Sequence, residues 1–124
     1  MTVKECYEQA VSLIPEKPEE NVEMQKFAVI WCNILLAETI CHENILRKGK
    51  NLPEIEKVPQ VENENDEIPF DDEMVRRVFP YGMARFVFRE NDDISASHEF
   101  YQLYVNALSE AVPVFAEEIE DVYE

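Results

Sequence analysis

Residues 68–89, IPFDDEMVRRVFPYGMARFVFR, constrain the fold more than any other stretch of this chain. Asp71 or Asp72 can cap a helix, because a short carboxylate accepts bonds from the unpaired amides of a first turn. Glu73 places further negative charge where the helix dipole favours it. From Met74 onward, Val75, Val78, Phe79, Met83, Phe86 and Val87 recur at helical spacing, and Tyr81 and Phe88 make the other side apolar too. A helix that is apolar nearly all round belongs at the centre of a bundle. Pro80 removes the bond to the carbonyl of Arg76, so a kink or split is expected over 76–82. Gly82 lets another chain segment approach closely.

The remaining blocks are helical as well. Thr2 and Glu5 form a capping-box pattern ahead of residues 3–14, whose stripe is Val3, Tyr7, Ala10, Val11 and Ile14. The prolines at 15 and 18 stop that helix. Residues 21–46 carry Met24, Phe27, Ala28, Trp31, Ile34, Leu35, Cys41 and Ile45 at three-four spacing. Val29, Ile30, Leu36, Ala37 and Ile40 widen this face beyond what a small domain fully covers, so either a central position in the bundle or a second chain packed alongside is expected, with Trp31 and Ile30 as interface candidates in the second case. Asn33, Glu38 and His42 interrupt the apolar surface as polar residues satisfied locally or left at its margin. Residues 94–112 form a fourth helix with Phe100, Leu103, Tyr104, Ala107, Leu108 and Ala111 inward. Residues 114–124 continue a weaker amphipathic pattern through Phe115, Ile119 and Val122 among five acids, the kind of end that frays unless a partner holds it. The expectation is an all-α, single-domain bundle of about four main helices over residues 1–124, with a kinked central helix. At 46% hydrophobic residues it has material for a core, and two glycines argue against an all-β fold.

One long connection, residues 47–70, remains. It opens basic with Arg47, Lys48 and Lys50, then turns acidic through Glu62, Glu64, Asp66 and Glu67. Leu52, Ile55, Val58, Val61 and Ile68 let it lie across the bundle or form a short hairpin. Connections of this length tend to be functional or disordered, so this one is either an interaction arm, with its charged residues as the candidates, or a simply mobile segment.

Eleven basic against 27 acidic residues give a net charge of −16. That excludes a general nucleic-acid binder, which neutralises phosphates with Lys and Arg, and disfavours docking on an anionic membrane. The N-terminal residues do not read as a signal peptide, and no run reaches membrane-spanning length free of charge. Cys6, Cys32 and Cys41 have no CxxC spacing, and the last two read as small core residues in a reducing setting. His42 and His98 lie in different blocks, outside any metal-ligand spacing, and no phosphate loop exists, so neither catalysis nor a cofactor or metal is expected. Arg76, Arg77, Arg85 and Arg89 are four of the five arginines and share one otherwise apolar helix. Because arginine binds carboxylates at two points, they pair either with this chain's own acids or with those of a neighbouring subunit. In the second case they are interface residues.

The order of motifs is also informative. Ile68-Pro69-Phe70-Asp71-Asp72-Glu73 is followed by Pro80-Tyr81-Gly82-Met83-Ala84-Arg85-Phe86, then by the acidic turn Glu90-Asn91-Asp92-Asp93. A helix carrying Phe100-Tyr101-Gln102-Leu103-Tyr104-Val105-Asn106-Ala107-Leu108 completes it. This resembles the small helical head-to-tail connector, or neck adaptor, proteins of tailed bacteriophages and prophages. The resemblance implies a bundle made in the bacterial cytoplasm and placed in the virion neck, as a homo-oligomeric ring beneath the portal protein. The next neck or tail protein would sit on its other side, and DNA would pass through without specific binding. An alternative reading of the charge alone is an acidic inhibitor or DNA mimic that occupies a basic groove on its partner.

Overall fold

The computed structural model describes residues 1–15 and 22–112; of the expected helix stop at 15–18 only Pro15 lies among them, and the end segment 114–124 lies outside. Four helices form an all-α bundle: α1 (Val3–Ser12), α2 (Val22–Gly49), α3 (Asp72–Glu90) and α4 (Ile94–Ala111). The apolar stretch does become the central element. Ten residues of α3 are buried, and the helix packs against α1, α2 and α4. Asp71 is its N-cap, accepting from the Met74 amide at 3.1 Å. Pro80 lies inside α3 and is buried, yet the helix runs from Asp72 to Glu90 without interruption, so the expected split does not occur. Gly82 meets its expectation. A β-carbon there would lie 2.6 Å from Leu35 Cδ2 on α2 and 2.9 Å from the Tyr104 ring on α4.

α1 begins on the expected capping box. The Thr2 hydroxyl accepts from the Glu5 amide at 3.1 Å, and the Glu5 carboxylate accepts from the Thr2 amide at 3.3 Å. The helix buries Val3, Cys6 and Ala10 and ends at Ser12, two residues earlier than the periodicity suggests.

α2 runs three residues past its expected end, which moves Arg47 and Lys48 from the connection into the helix. The stop signal is Asn51, two residues past the last helical residue, Gly49. Asn51 takes a left-handed conformation (φ 58°), the Leu52 amide donates back to the Arg47 carbonyl at 2.8 Å, and the Asn51 amide donates to Lys48 at 3.2 Å. This pair of bonds satisfies helix-end carbonyls. The end of α3 repeats it with Asp92 (φ 57°): the Asp93 amide donates to Phe88 at 2.9 Å and the Asp92 amide to Arg89 at 3.1 Å. Asp93 then caps α4 through the Ala96 amide.

By length and composition alone, Lys26–Gly49 of α2 is long and apolar enough to cross a membrane, which the charge-based reading did not anticipate. Here it is the long wall of the bundle, and its polar side chains hold the connection that follows. That connection, residues 50–71, lies along α2 as a strap, and no hairpin forms in it. Asn44 donates to the Ile55 carbonyl at 3.0 Å and accepts from the Ile55 amide at 2.7 Å. Asn33, about three turns earlier on the same face, does the same to Val61 at 3.1 and 2.8 Å. The strap then pairs with the start of the chain: Lys4 and Val3 amides donate to the Glu64 and Asp66 carbonyls, and the Ile68 amide to Met1. Val61, Ile68 and Phe70 are buried beneath it.

Candidate partner-binding groove

α3 separates α2 from α4, and along one side the two outer helices leave a groove floored by Arg85 and Phe86. Three residues from three helices meet at its centre. Arg85 Nη2 donates to Glu38 Oε1 at 3.0 Å, and the Tyr104 hydroxyl donates to the same oxygen at 3.2 Å. The Arg85 guanidinium carbon also lies 4.2 Å from the Phe86 ring centroid and 5.1 Å from those of Tyr101 and Tyr104. A planar, weakly hydrated cation suits such an aromatic setting better than an ammonium would. The Arg85 side chain is only 11% exposed, and its Nε has no hydrogen-bond partner among the described residues. Burial, reinforced by the Glu38 carboxylate, raises the Tyr104 hydroxyl far above the ordinary phenol range, so it remains a donor. Ser97 Oγ donates to the Arg85 carbonyl at 2.9 Å and fixes α4 against α3.

Two hollows share Glu38 and Tyr101. The larger, about 520 Å³, is lined by Ile34 and Glu38 of α2, Arg85, Phe86 and Arg89 of α3, and Ile94, Ser97, His98 and Tyr101 of α4. The smaller, about 390 Å³, lies toward His42, Val105, Leu108 and Ser109. Burial lowers the basicity of His42, whose Nδ1 is enclosed without a partner among the described residues, so it stays neutral at pH 7. Beyond the larger hollow, Phe27, Ile30 and Ile34 form an exposed stripe on α2, and Ile94 on α4 is 76% exposed. Together they make an apolar strip edged by Arg89.

The sequence-predicted residues distribute unevenly over this geometry. Of the four arginines, Arg85 sits in the groove with Glu38. Arg76 pairs with Asp72 one turn earlier at 2.6 Å, and Arg77 reaches Glu110 at 4.0 Å. Arg89 is exposed at the groove's rim, with no ion pair within 4 Å among the described residues. Trp31 is 5% exposed and stacks on Phe86 with ring centroids 5.9 Å apart, so the chain's own core uses most of its surface. Ile30 is 55% exposed. Leu103 and Cys41, read from the pattern as inward, are exposed, while Cys6 and Cys32 are buried. Burial pushes the Cys32 thiol up to about 12 and the Cys6 thiol higher, which makes both unreactive.

The charged residues of the connection serve the fold. Arg47 Nε pairs with the buried Glu43 at 3.1 Å, and the other Glu43 oxygen accepts from the Asp71 amide at 2.9 Å. Lys50 pairs with Asp71. The Asp66 carboxylate accepts from the Glu62 and Asn63 amides, Glu64 offers its carbonyl to Lys4, and Glu67 takes the Met1 amine at 2.9 Å. Lys48 is exposed. Sequence reasoning missed Asn44 altogether, and it gave Glu38, Tyr101, Tyr104 and Asn33 no site role. Glu38 and His42 stand as one-turn-spaced interruptions in an apolar helix, and that signal could have located the groove's α2 wall. Among the described residues, no three His, Cys, Asp or Glu side chains cluster in a way that would hold a metal ion. No family model matches the chain, and neither a curated protein nor a solved structure matches it.

Proposed function

We propose that this chain is a structural assembly subunit, built as a ring-forming connector of a phage neck that extends a DNA channel between a portal and the next neck or tail protein. The observation that carries the reading is the apolar strip of Phe27, Ile30, Ile34 and Ile94 beside an arginine-lined groove, on a chain of net charge −16. Patches of this kind are complementary to something other than themselves. A heterologous contact repeated head to tail closes into a ring when the rotation permits. The sequence resemblance of residues 68–108 to neck adaptors supplies the biological setting. A surface dominated by carboxylates suits a channel wall, since it repels phosphate and lets DNA slide.

Native mass spectrometry over a concentration series, at low and high salt, tests the reading together with capture on a portal ring. A closed oligomer alone, or one templated by the portal, is the expected result. A monomer that ignores the portal but binds a basic DNA-binding protein in a salt-sensitive manner would replace it with the acidic-mimic reading.

A further inference from the structure

We infer that two copies of this chain pair through the outward face of α2, antiparallel and about a two-fold axis. On the inward side of that helix Ala28, Cys32, Leu35, Leu36 and Thr39 are buried. On the far side Phe27, Ile30, Ile34, Ala37 and Cys41 are all exposed. Their spacing is three, four, three and four residues, the seam of a coiled coil, kept for about 21 Å. Side chains at this period fill the holes between those of a facing helix, so another helix is what covers them.

Two observations make that helix the α2 of a copy. Partner choice between paired helices comes from charges at the positions flanking the seam. Here those positions hold Lys26, Trp31, Asn33, Glu38 and Ile40, and four of the five are committed within the chain. Trp31 and Ile40 pack on the core, Asn33 holds Val61 of the strap, and Glu38 pairs with Arg85. Lys26 alone is left, which is too little to select an unlike seam over a like one. The second observation is charge. Copies of net charge −16 repel one another, yet α2 has no carboxylate from Met24 to Ala37, and Glu38 beside the row is answered by Arg85.

Bulk sets the direction. The row runs from large at Phe27 and Ile30 to small at Ala37 and Cys41, so a parallel pair would be crowded at one end and hollow at the other. In an antiparallel pair Ile34 meets Ala37 of the copy and Ile30 meets Cys41, which sets large against small in each layer. Such a pair is closed and builds no ring by itself. It stands independently of the assembly reading, under which the row is covered by a copy in the free chain and by the next partner in the neck.

Cys41 is the only exposed cysteine of the three, so the row carries its own probe. Diamide takes two electrons from a pair of thiols and leaves a disulfide. With it the unaltered chain should stay uncross-linked, because each Cys41 faces Ile30. Ile30→Cys should give a covalent dimer on non-reducing gels, and Cys41→Ser added to it should abolish that dimer. Ile30→Glu puts a good helix former at an exposed position, so circular dichroism should be unchanged while dimerisation weakens at least tenfold by sedimentation equilibrium. Cross-linking of the unaltered chain through Cys41 overturns the antiparallel direction. A ring in which Ile30→Cys does not cross-link overturns the pairing and upholds the assembly reading. An unaltered chain that is monomeric at every concentration also overturns the pairing, and portal capture then judges the assembly reading alone.

Discussion

At Gly82, Leu35 of α2 and Tyr104 of α4 press so near to α3 that no side chain fits without displacement. An added methyl would push against Leu35 and Tyr104 together. Overpacking of this kind costs about 1–3 kcal/mol, and the better helix propensity of alanine returns about 1 kcal/mol. Gly82→Ala should therefore lower stability by about 1 kcal/mol in urea denaturation, and a stabilised variant would mean that the neighbours yield freely. The Tyr104 side of this contact bears on the groove, because the same ring sends its hydroxyl to Glu38. Tyr104→Phe should cost about 1 kcal/mol. Glu38→Ala should cost about 1–3 kcal/mol, since it leaves Arg85 nearly enclosed with no carboxylate. The two should be non-additive in a double-mutant cycle because they share one oxygen. Additive losses would show that the three-way contact is not a unit. What set Arg85 apart from Arg76 and Arg77 was spatial: all three read alike in sequence, and only Arg85 is surrounded by aromatic rings.

At the level of elements, helices were legible where apolar residues recur at 3.6-residue spacing, and the all-round apolar character of α3 identified the centre. Their ends were less so. Asn51 and Asp92 do the work usually given to glycine at left-handed stops, and neither residue type announces a stop as glycine would. Replacing either Asn51 or Asp92 by glycine should raise stability by about 0.5 kcal/mol, as the strain of a β-carbon at positive φ is relieved. No gain in melting temperature would show that their side chains compensate for that strain. The strap was not legible, because Asn33 and Asn44 grip backbone 28 and 11 residues away and side-chain-to-backbone pairing leaves no periodic trace. Asn33→Ala strands both polar groups of the buried Val61 and should cost about 1–3 kcal/mol. Asn44→Ala, acting on the less buried Ile55, should cost less. In hydrogen exchange both should speed the amides of residues 52–68 and leave α4 protected. Uniform acceleration across the bundle would contradict a separately held strap. The pattern also placed Leu103 and Cys41 inside, since a helix apolar on several sides does not show which side its neighbours will cover.

For the molecule as a whole, a net charge of −16 on 124 residues sets two electrostatic effects against each other. Local pairs stabilise: Asp72 with Arg76, Asp71 with Lys50, and Glu38 with Arg85. General repulsion among the other carboxylates opposes folding. Most local pairs are exposed, where such contacts contribute little, so repulsion should prevail at pH 7 and added salt should stabilise by screening it. Lowering the pH toward the isoelectric point of about 4.4 should first help for the same reason. His42 works against that gain, because its folded basicity is depressed and the unfolded chain takes up a proton below about pH 6.5. Below about pH 4 the direction reverses decisively. The Arg76 and Met1 cations hold Asp72 below the usual carboxylate range, Lys50 does so for Asp71, and the Glu62 and Asn63 amides do so for Asp66. Each of these binds fewer protons folded than unfolded. Their contribution is present above the unfolded value near 3.9 and disappears as pH falls through the folded one. Urea midpoints should therefore rise from pH 2 to a maximum near pH 5, decline modestly to pH 7, and at pH 7 increase between 10 and 200 mM sodium chloride. A midpoint at pH 7 that falls with salt would mean that the Glu38–Arg85 and Lys50–Asp71 pairs outweigh the repulsion of the whole surface.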